Sequence, residues 1–303
     1  MYARLIEIKD GALCGNFIEM YNGRLHVLVS TDHGFDISSV HYRGINISYL
    51  SRMGLGENSL PFSQRFEGGM LYTCGPDSIG IQQNYPQHGS WHIKKAVLLE
   101  KTVTAEKITV KAELNFAELF KPTLRVIRTL ELMSDSGTIY IKDKFINDGF
   151  QNFSYALLYH FNFGYPFLNP QTDLSINSLT VKAADVIVSA AGYKSLSLPQ
   201  DEAVEEVFYH EGNDGTVTLS SKAVGIKEIL KYDRTIFPVL TQWKSMISGN
   251  YVLGIEPATS PMGADLSYNL LKSGSEFTAD FQLEFSISNK KSGRPGFLVS
   301  LDD

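Results

Sequence analysis

Apolar and polar residues alternate with a period of two along much of the chain. From Ile108, the residues Ile108, Val110, Ala112, Leu114 and Phe116 alternate with Thr109, Lys111, Glu113 and Asn115. A second run sets Leu124, Val126, Leu130 and Leu132 against Arg125, Thr129 and Glu131, with Arg128 breaking the pattern. Near the C-terminus Phe277, Ala279, Phe281, Leu283, Phe285 and Ile287 oppose Thr278, Asp280, Gln282, Glu284 and Ser286. Each run predicts a strand with one face on a core and one face in water. Turn chemistry punctuates them at Asp135-Ser136-Gly137, Asn147-Asp148-Gly149, Asn213-Asp214-Gly215 and Ser248-Gly249-Asn250. That spacing predicts hairpins in an all-β sandwich of antiparallel sheets rather than βαβ units. Helix signals are sparse; Pro199 to His210, opening on Asp201-Glu202, is the segment predicted as a short helix. No fixed-period repeat and no Pro/Gly/Ser linker divides the 303 residues, so one domain spanning 1–303 is expected.

Composition narrows the function. The chain is 43% hydrophobic and 20% charged, ordinary for a globular protein, and carries a net charge of −6 with no basic run. Nucleic acid is therefore a poor partner, whereas a neutral ligand needs no electrostatic steering. Two cysteines, Cys14 and Cys74, cannot make a disulfide framework, and Cys74 within Met70-Leu71-Tyr72-Thr73-Cys74 reads as a buried small hydrophobe. The N-terminal residues 1–10 carry charges where a signal peptide needs an apolar block, and no apolar stretch approaches the ~20 residues that span a bilayer. The expectation is a cytoplasmic protein without a membrane partner; a homodimer is compatible with the pattern.

Four stretches depart from the alternation. Gln64 to Asp77 contains Arg65 followed by Glu67-Gly68-Gly69, where paired glycines admit a ligand or simply a tight turn. Gln87-His88-Gly89-Ser90-Trp91-His92 could supply metal ligands, a sugar-stacking surface or a plain loop; no further Cys or His lies near it in sequence to complete a metal site. In Tyr155 to Phe167, His160 and Asn162 interrupt an aromatic run two residues apart, so on a strand they share a face. Either they are satisfied core groups or they belong to a cleft wall. Gln242-Trp243-Lys244 is followed after a turn by an apolar strand predicted to end at Glu256, because Pro257 removes the next amide donor; the carboxylate is a turn cap or a general base.

Taken in order, these stretches resemble the galactose mutarotase-like (aldose 1-epimerase) superfamily, in particular its DUF4432 branch. The resemblance is carried by Arg65, Glu67-Gly68-Gly69, Leu71-Tyr72-Thr73-Cys74-Gly75, His88-Gly89, His160-Phe161-Asn162-Phe163-Gly164-Tyr165-Pro166 and Gly254-Ile255-Glu256-Pro257-Ala258, with a looser match at His33-Gly34-Phe35-Asp36-Ile37. It implies a β-supersandwich with a carbohydrate cleft, in which His160 is the general acid and Glu256 the general base. Arg65 and His88 would contact the sugar. His88-Gly89 lacks the usual Gly-Arg continuation, and the hydroxyl-holding Asp of those enzymes has no clear equivalent, so Gln242 and Trp243 are assigned in its place, with Asn162 and Tyr165 as further substrate contacts.

The chemistry suits the residues. Interconverting aldose anomers removes a proton from the C1 hydroxyl and delivers one to the ring oxygen, which an imidazole and a carboxyl can do without metal or organic cofactor. The expectation is that a charged His160 and an ionised Glu256 face each other across a hollow wide enough for a pyranose, under the aromatic wall of Phe161, Phe163 and Tyr165. Two alternatives stand beside it. A non-catalytic carbohydrate-binding protein would use the same cleft, and a glycoside hydrolase or lyase would need a second carboxylate, for which Glu67 and Asp77 are the candidates. Arg65 and Lys244 are available to an anionic substituent on the sugar.

Overall fold

The computed structural model describes residues 3–9, 15–54, 60–184 and 189–288; Cys14, parts of the N-terminal decapeptide and the last fifteen positions of the expected single domain lie outside that set. The chain runs through β1 (Arg4–Ile8), β2 (Phe17–Tyr21), β3 (Leu25–Ser30), β4 (Ile37–Tyr42), β5 (Ile45–Asn46), α1 (Phe62–Arg65), β6 (Leu71–Cys74), β7 (Val97–Val103), β8 (Lys107–Phe116), β9 (Leu124–Met133), β10 (Thr138–Ile146), β11 (Phe153–Tyr155) and β12 (Leu158–Gly164). It continues through β13 (Thr172–Ile176), β14 (Thr180–Ala183), β15 (Glu206–Glu211), β16 (Thr216–Ser221), β17 (Ile226–Tyr232), β18 (Val239–Ile247), β19 (Asn250–Ala258), β20 (Asn269–Leu271) and β21 (Glu276–Ile287). No helix among the described residues is long and apolar enough to cross a membrane.

The strands form four antiparallel sheets. β1 to β5 make a five-stranded meander and β11 pairs with β20. An eight-stranded sheet has the order β13-β16-β17-β21-β10-β9-β8-β7, and a six-stranded sheet the order β14-β15-β18-β19-β12-β6. The alternating runs read from the sequence are β8, β9 and β21, and their apolar faces line the main core. Leu71, Tyr159, Phe161, Phe163, Leu253 and Ile255 of the six-stranded sheet meet that core; Tyr159 packs 4.2 Å from Phe281 and Phe161 5.5 Å from the same ring. The opposite face of the six-stranded sheet is also covered, by a smaller cluster that includes Tyr49, Phe66, Tyr72, Leu158 and Val252. Covered on both faces, β12 is buried at every position, which explains its continuous aromatic sequence.

Arg128, the break in the second run, points inward from β9 and is fully buried. Asp143, its cross-strand partner on β10, receives Nε at 2.8 Å and Nη2 at 2.6 Å, while Asp36 receives Nη1 at 2.5 Å. Thr73 accepts from Nη2 at 3.0 Å, Tyr159 donates to Asp143, and the guanidinium lies 4.9 Å from the Trp91 ring centroid. A buried charge survives only when paired and hydrogen-bonded in this way. Trp91 is itself fully buried with its indole N–H on the Gly34 carbonyl, so it belongs to the core rather than to a sugar-stacking surface.

Three local expectations change. The segment 199–210 holds no helix: Asp201-Glu202 form a turn and Glu206–Glu211 is β15, held between β14 and β18 with Phe208 and His210 buried. Pairing on both edges outweighs the helix-start signal. Of the four predicted hairpin turns, those at 135–137 and 248–250 join paired strands, but those at 147–149 and 213–215 carry the chain between sheets. In both of the latter an Asn side chain accepts from the Gly amide two residues on, which fixes the local reversal and not the partner beyond it. Finally β19 continues past Glu256 to Ala258, because the ladder with β18 persists through Pro257. On the β12 side the register lacks pairs between Leu158 and Phe161, where proline's missing N–H falls.

Candidate active site

Register decides which side chains meet. Tyr72 on β6 is opposite His160 on β12, Glu256 on β19 is opposite Thr241 on β18, and the pairings Leu158–Ala258 and Phe161–Ile255 put His160 opposite Glu256. All four therefore lie in one row on the face away from the main core. There His160 Nε2 is 3.0 Å from Glu256 Oε1, and both side chains are buried. Gly254, one row along on the same face, makes room for them: a Cβ there would sit 2.6 Å from His160 Cε1 and 2.9 Å from Glu256 Oε1.

Aromatic rings enclose the pair. Trp243 meets His160 edge-on with centroids 5.5 Å apart, and Phe66 lies 6.0 Å from the imidazole. His88 packs 4.7 Å from Phe62 and 6.5 Å from Tyr72, and Arg65 Nη1 donates to the Tyr72 hydroxyl at 2.9 Å. Phe62, His88 and Trp243 are half-buried, forming a rim around the buried Arg65, His160 and Glu256. His88 takes φ +66, and Gly89 beside it has no space for a Cβ, which would fall 2.3 Å from the Ser78 carbonyl. The chain is thus turned tightly here to present the imidazole.

Burial sets the protonation. Desolvation lifts the Glu256 carboxyl up to about 8. Desolvation, with the nearby His88, takes the His160 imidazole down to about 3. His88 falls to about 4 through desolvation and then the charge of Arg65. The pair accordingly holds one proton between carboxyl and imidazole, with burial favouring its residence on Glu256. This differs from the expected charged His160 opposite an ionised Glu256: a carboxylate stabilises an imidazolium only when solvent does not have to be stripped from both.

The structure brings Arg65, His88, His160, Trp243 and Glu256 together. His160 and Glu256 touch directly rather than across an open hollow. Asn162 shares His160's face as its spacing requires, but is fully buried, with Nδ2 donating to the His160 carbonyl and Oδ1 without a hydrogen-bond partner among the described residues. Gln242 is corrected: it points to the face opposite Trp243, where Nε2 donates to the Tyr193 carbonyl and Oε1 contacts His210 Nε2 at 3.0 Å. Lys244 shares that face and is held by Glu206 and the carbonyls of Gly192 and Ser195, so it is not free for an anionic substituent. Both follow from strand parity, since Trp243 occupies the site face. Tyr165 is also corrected. It is 73% exposed beyond the end of β12 and borders a separate groove of about 430 Å³ with Tyr49, Leu198 and Tyr251. Phe161 and Phe163 face the main core, so the aromatic wall is Phe62, Phe66, Tyr72 and Trp243 instead. Cys74 is buried, and desolvation raises its thiol well above the usual range.

The sequence pattern of the family described as a domain of unknown function, DUF4432, matches residues 14–268. No curated protein matches. Among solved structures, a Klebsiella pneumoniae protein bearing the provisional name aldose 1-epimerase superposes with a TM-score of 0.79 at 18% identity, covering 93% of this chain and 87% of its own. A galactose mutarotase-like protein from Clostridium acetobutylicum gives a TM-score of 0.68 at 14% identity, over 95% of this chain and 99% of its own. A Synechocystis protein gives 0.73 at 14% identity, over 95% and 97%. At such identities the likeness is one of fold, and the fold is galactose mutarotase-like. With that match spanning residues 14–268, most of its length, the chain belongs to the DUF4432 family.

Proposed function

We propose that the protein is an aldose 1-epimerase-type isomerase that interconverts the anomers of a reducing sugar at His160 and Glu256. The observation that carries this reading is the 3.0 Å contact between His160 Nε2 and Glu256 Oε1 on a face rimmed by His88 and Trp243. In a cyclic hemiacetal the C1 hydroxyl and the ring oxygen share one carbon, so they sit close enough to replace the contact between carboxyl and imidazole with one hydrogen bond to each. One group then takes the hydroxyl proton while the other protonates the ring oxygen, and the ring opens. Rotation about the C1–C2 bond and closure with the roles exchanged returns both groups to their starting state. A pair carrying a single proton suits this bifunctional exchange, since it donates and accepts without net charge change.

The desolvated setting supports the same reading, because hydrogen bonds to reacting atoms are stronger where water is excluded. Trp243 and Phe66 offer apolar ring faces suited to the C–H faces of a pyranose, and Arg65 and His88 offer polar groups to its hydroxyls. The hydrolytic alternative lacks such support: Glu67 is buried with its carboxylate turned to His92, and Asp77 accepts from the Ser90 amide. The experiment is magnetisation-exchange NMR on a panel of aldoses with wild type, His160→Ala and Glu256→Gln. A drop of about 10²–10⁴-fold in anomer exchange for each variant is expected. Full activity in both folded variants on a sugar that wild type turns over would refute the assignment.

A further inference from the structure

Outside the His160–Glu256 pair, three buried side chains from widely separated segments converge. His33 comes from the turn after β3, Glu67 from the residues following α1, and His92 from the turn before β7. One ligating atom from each lies within 4.8 Å of the others, and the residues are 6%, 4% and 2% exposed. His92 is oriented by Asp36, which accepts from Nδ1 at 2.8 Å and leaves Nε2 directed at Glu67 Oε1, 3.5 Å away. That separation is long for a hydrogen bond, and neither His92 Nε2 nor Glu67 Oε2 has a hydrogen-bond partner among the described residues. Tyr72 stacks on the His92 ring at 3.9 Å with an interplanar angle of 21°, closing one side.

We propose that His33, Glu67 and His92 form a binding site for a divalent transition-metal ion of the zinc class. Two imidazoles and one carboxylate are a donor set that such ions favour and that Mg²⁺ and Ca²⁺ do not. Bonds of about 2.0–2.2 Å place the ligands of one ion roughly 3.5 Å apart, so the three groups close on an ion by about an ångström. The Asp36 contact supplies the outer carboxylate that ordinarily fixes the tautomer and ring orientation of a metal-bound histidine. Asp36 is in turn held by Arg128 and by the Thr73 amide and hydroxyl, so the support is itself rigid. The buried, unsatisfied Glu67 oxygen is a polar group that a bound ion would satisfy. Three protein ligands leave a further position for water or a substrate oxygen. The ion would tie the Glu67 segment to the His33 and His92 turns, which the Gly34 amide already links by donating to the Lys94 carbonyl.

The test is titration of chelator-treated full-length protein with Co²⁺, read by visible absorption, and with Zn²⁺, read by calorimetry. One equivalent is expected to bind, with d–d bands for Co²⁺ and a rise in melting temperature for Zn²⁺ but not for Mg²⁺. His33→Gln and Glu67→Gln should each weaken binding by at least tenfold, and His160→Ala should leave it unchanged. The His160→Ala arm separates this proposal from the catalytic one, because it removes the acid–base pair and spares the metal ligands. Absence of a one-equivalent Co²⁺ or Zn²⁺ site in the wild type would overturn the proposal, as would equal affinity in folded His33→Gln and Glu67→Gln proteins. If either variant fails to fold, the wild-type melting shift and its metal selectivity decide alone.

Discussion

A methyl group placed on Gly254 would sit 2.6 Å from Cε1 of His160, closer than real Cβ contacts allow. The obstacle on one side is the imidazole and on the other the Glu256 oxygen at 2.9 Å, so relief must come from displacing the pair itself. Gly254→Ala is therefore expected to lower anomer exchange by at least tenfold while costing about 1–3 kcal/mol of stability, as overpacking in a close-packed interior does. Urea denaturation and exchange NMR on the same sample measure the two effects. Wild-type exchange in this variant would show that the observed contact is not needed.

The pair also sets a pH profile. With Glu256 up to about 8 and His160 down to about 3, it holds one proton throughout the interval between them. Raising pH past about 8 removes that proton and with it the acid of the resting state, so turnover should be level near neutrality and fall on the alkaline side with an apparent pKa near 8. The alkaline limb should disappear in Glu256→Gln, whatever small activity remains. A limb centred near the usual glutamate range would mean that the carboxyl is solvated during turnover.

Buried charge elsewhere makes a stability prediction. Arg128 is fully buried between Asp143 and Asp36, so Arg128→Met leaves Asp143 without its cation and Asp36 with His92 alone. A loss of about 3–5 kcal/mol is expected in chemical denaturation, and the double change Arg128→Met with Asp143→Leu should be milder than the single one. If the single substitution cost less than about 1 kcal/mol, the network would not be the anchor of this core.

Glu228 is the opposite case. It points into the core from β17, fully buried, with neither carboxyl oxygen hydrogen-bonded among the described residues, and desolvation raises its carboxyl well above the ordinary range. The folded state then keeps a proton that the unfolded chain releases near the ordinary glutamate value of about 4.3, so Glu228 costs nothing below that pH and lowers folding stability increasingly as pH rises toward its elevated folded value. Glu228→Gln removes this decline and should make the protein more stable than wild type at neutral pH. Parallel denaturation curves from pH 4 to pH 8 test it; an unchanged pH slope in the variant would assign the decline to other groups.

Much of this architecture was legible in the chain. Strict alternation marked β8, β9 and β21, because a strand with one wet face must place every second residue in the core. His160 and Glu256 were marked by polarity within apolar runs. The roles of Gln242 and Lys244 were not legible: neighbours of Trp243 along the chain, they are separated from it by strand parity, which is known only once the buried face is known. The His33, Glu67 and His92 cluster escaped for a different reason. Its successive members lie 34 and 25 positions apart in irregular segments, and no local spacing rule connects loops brought together by the sheets between them.

The sequence by itself determined the alternating strands β8, β9 and β21, the reversal points and the identity of the polar groups, since these follow from residue-by-residue preferences for pleat, turn and water. The tertiary structure decided which reversals changed sheet, which face of β18 met the site, and how deeply His160 and Glu256 were desolvated. Those outcomes depend on long-range register and on the low dielectric created by distant side chains. Neither is a property of any segment taken alone, and the protonation of the pair comes from both.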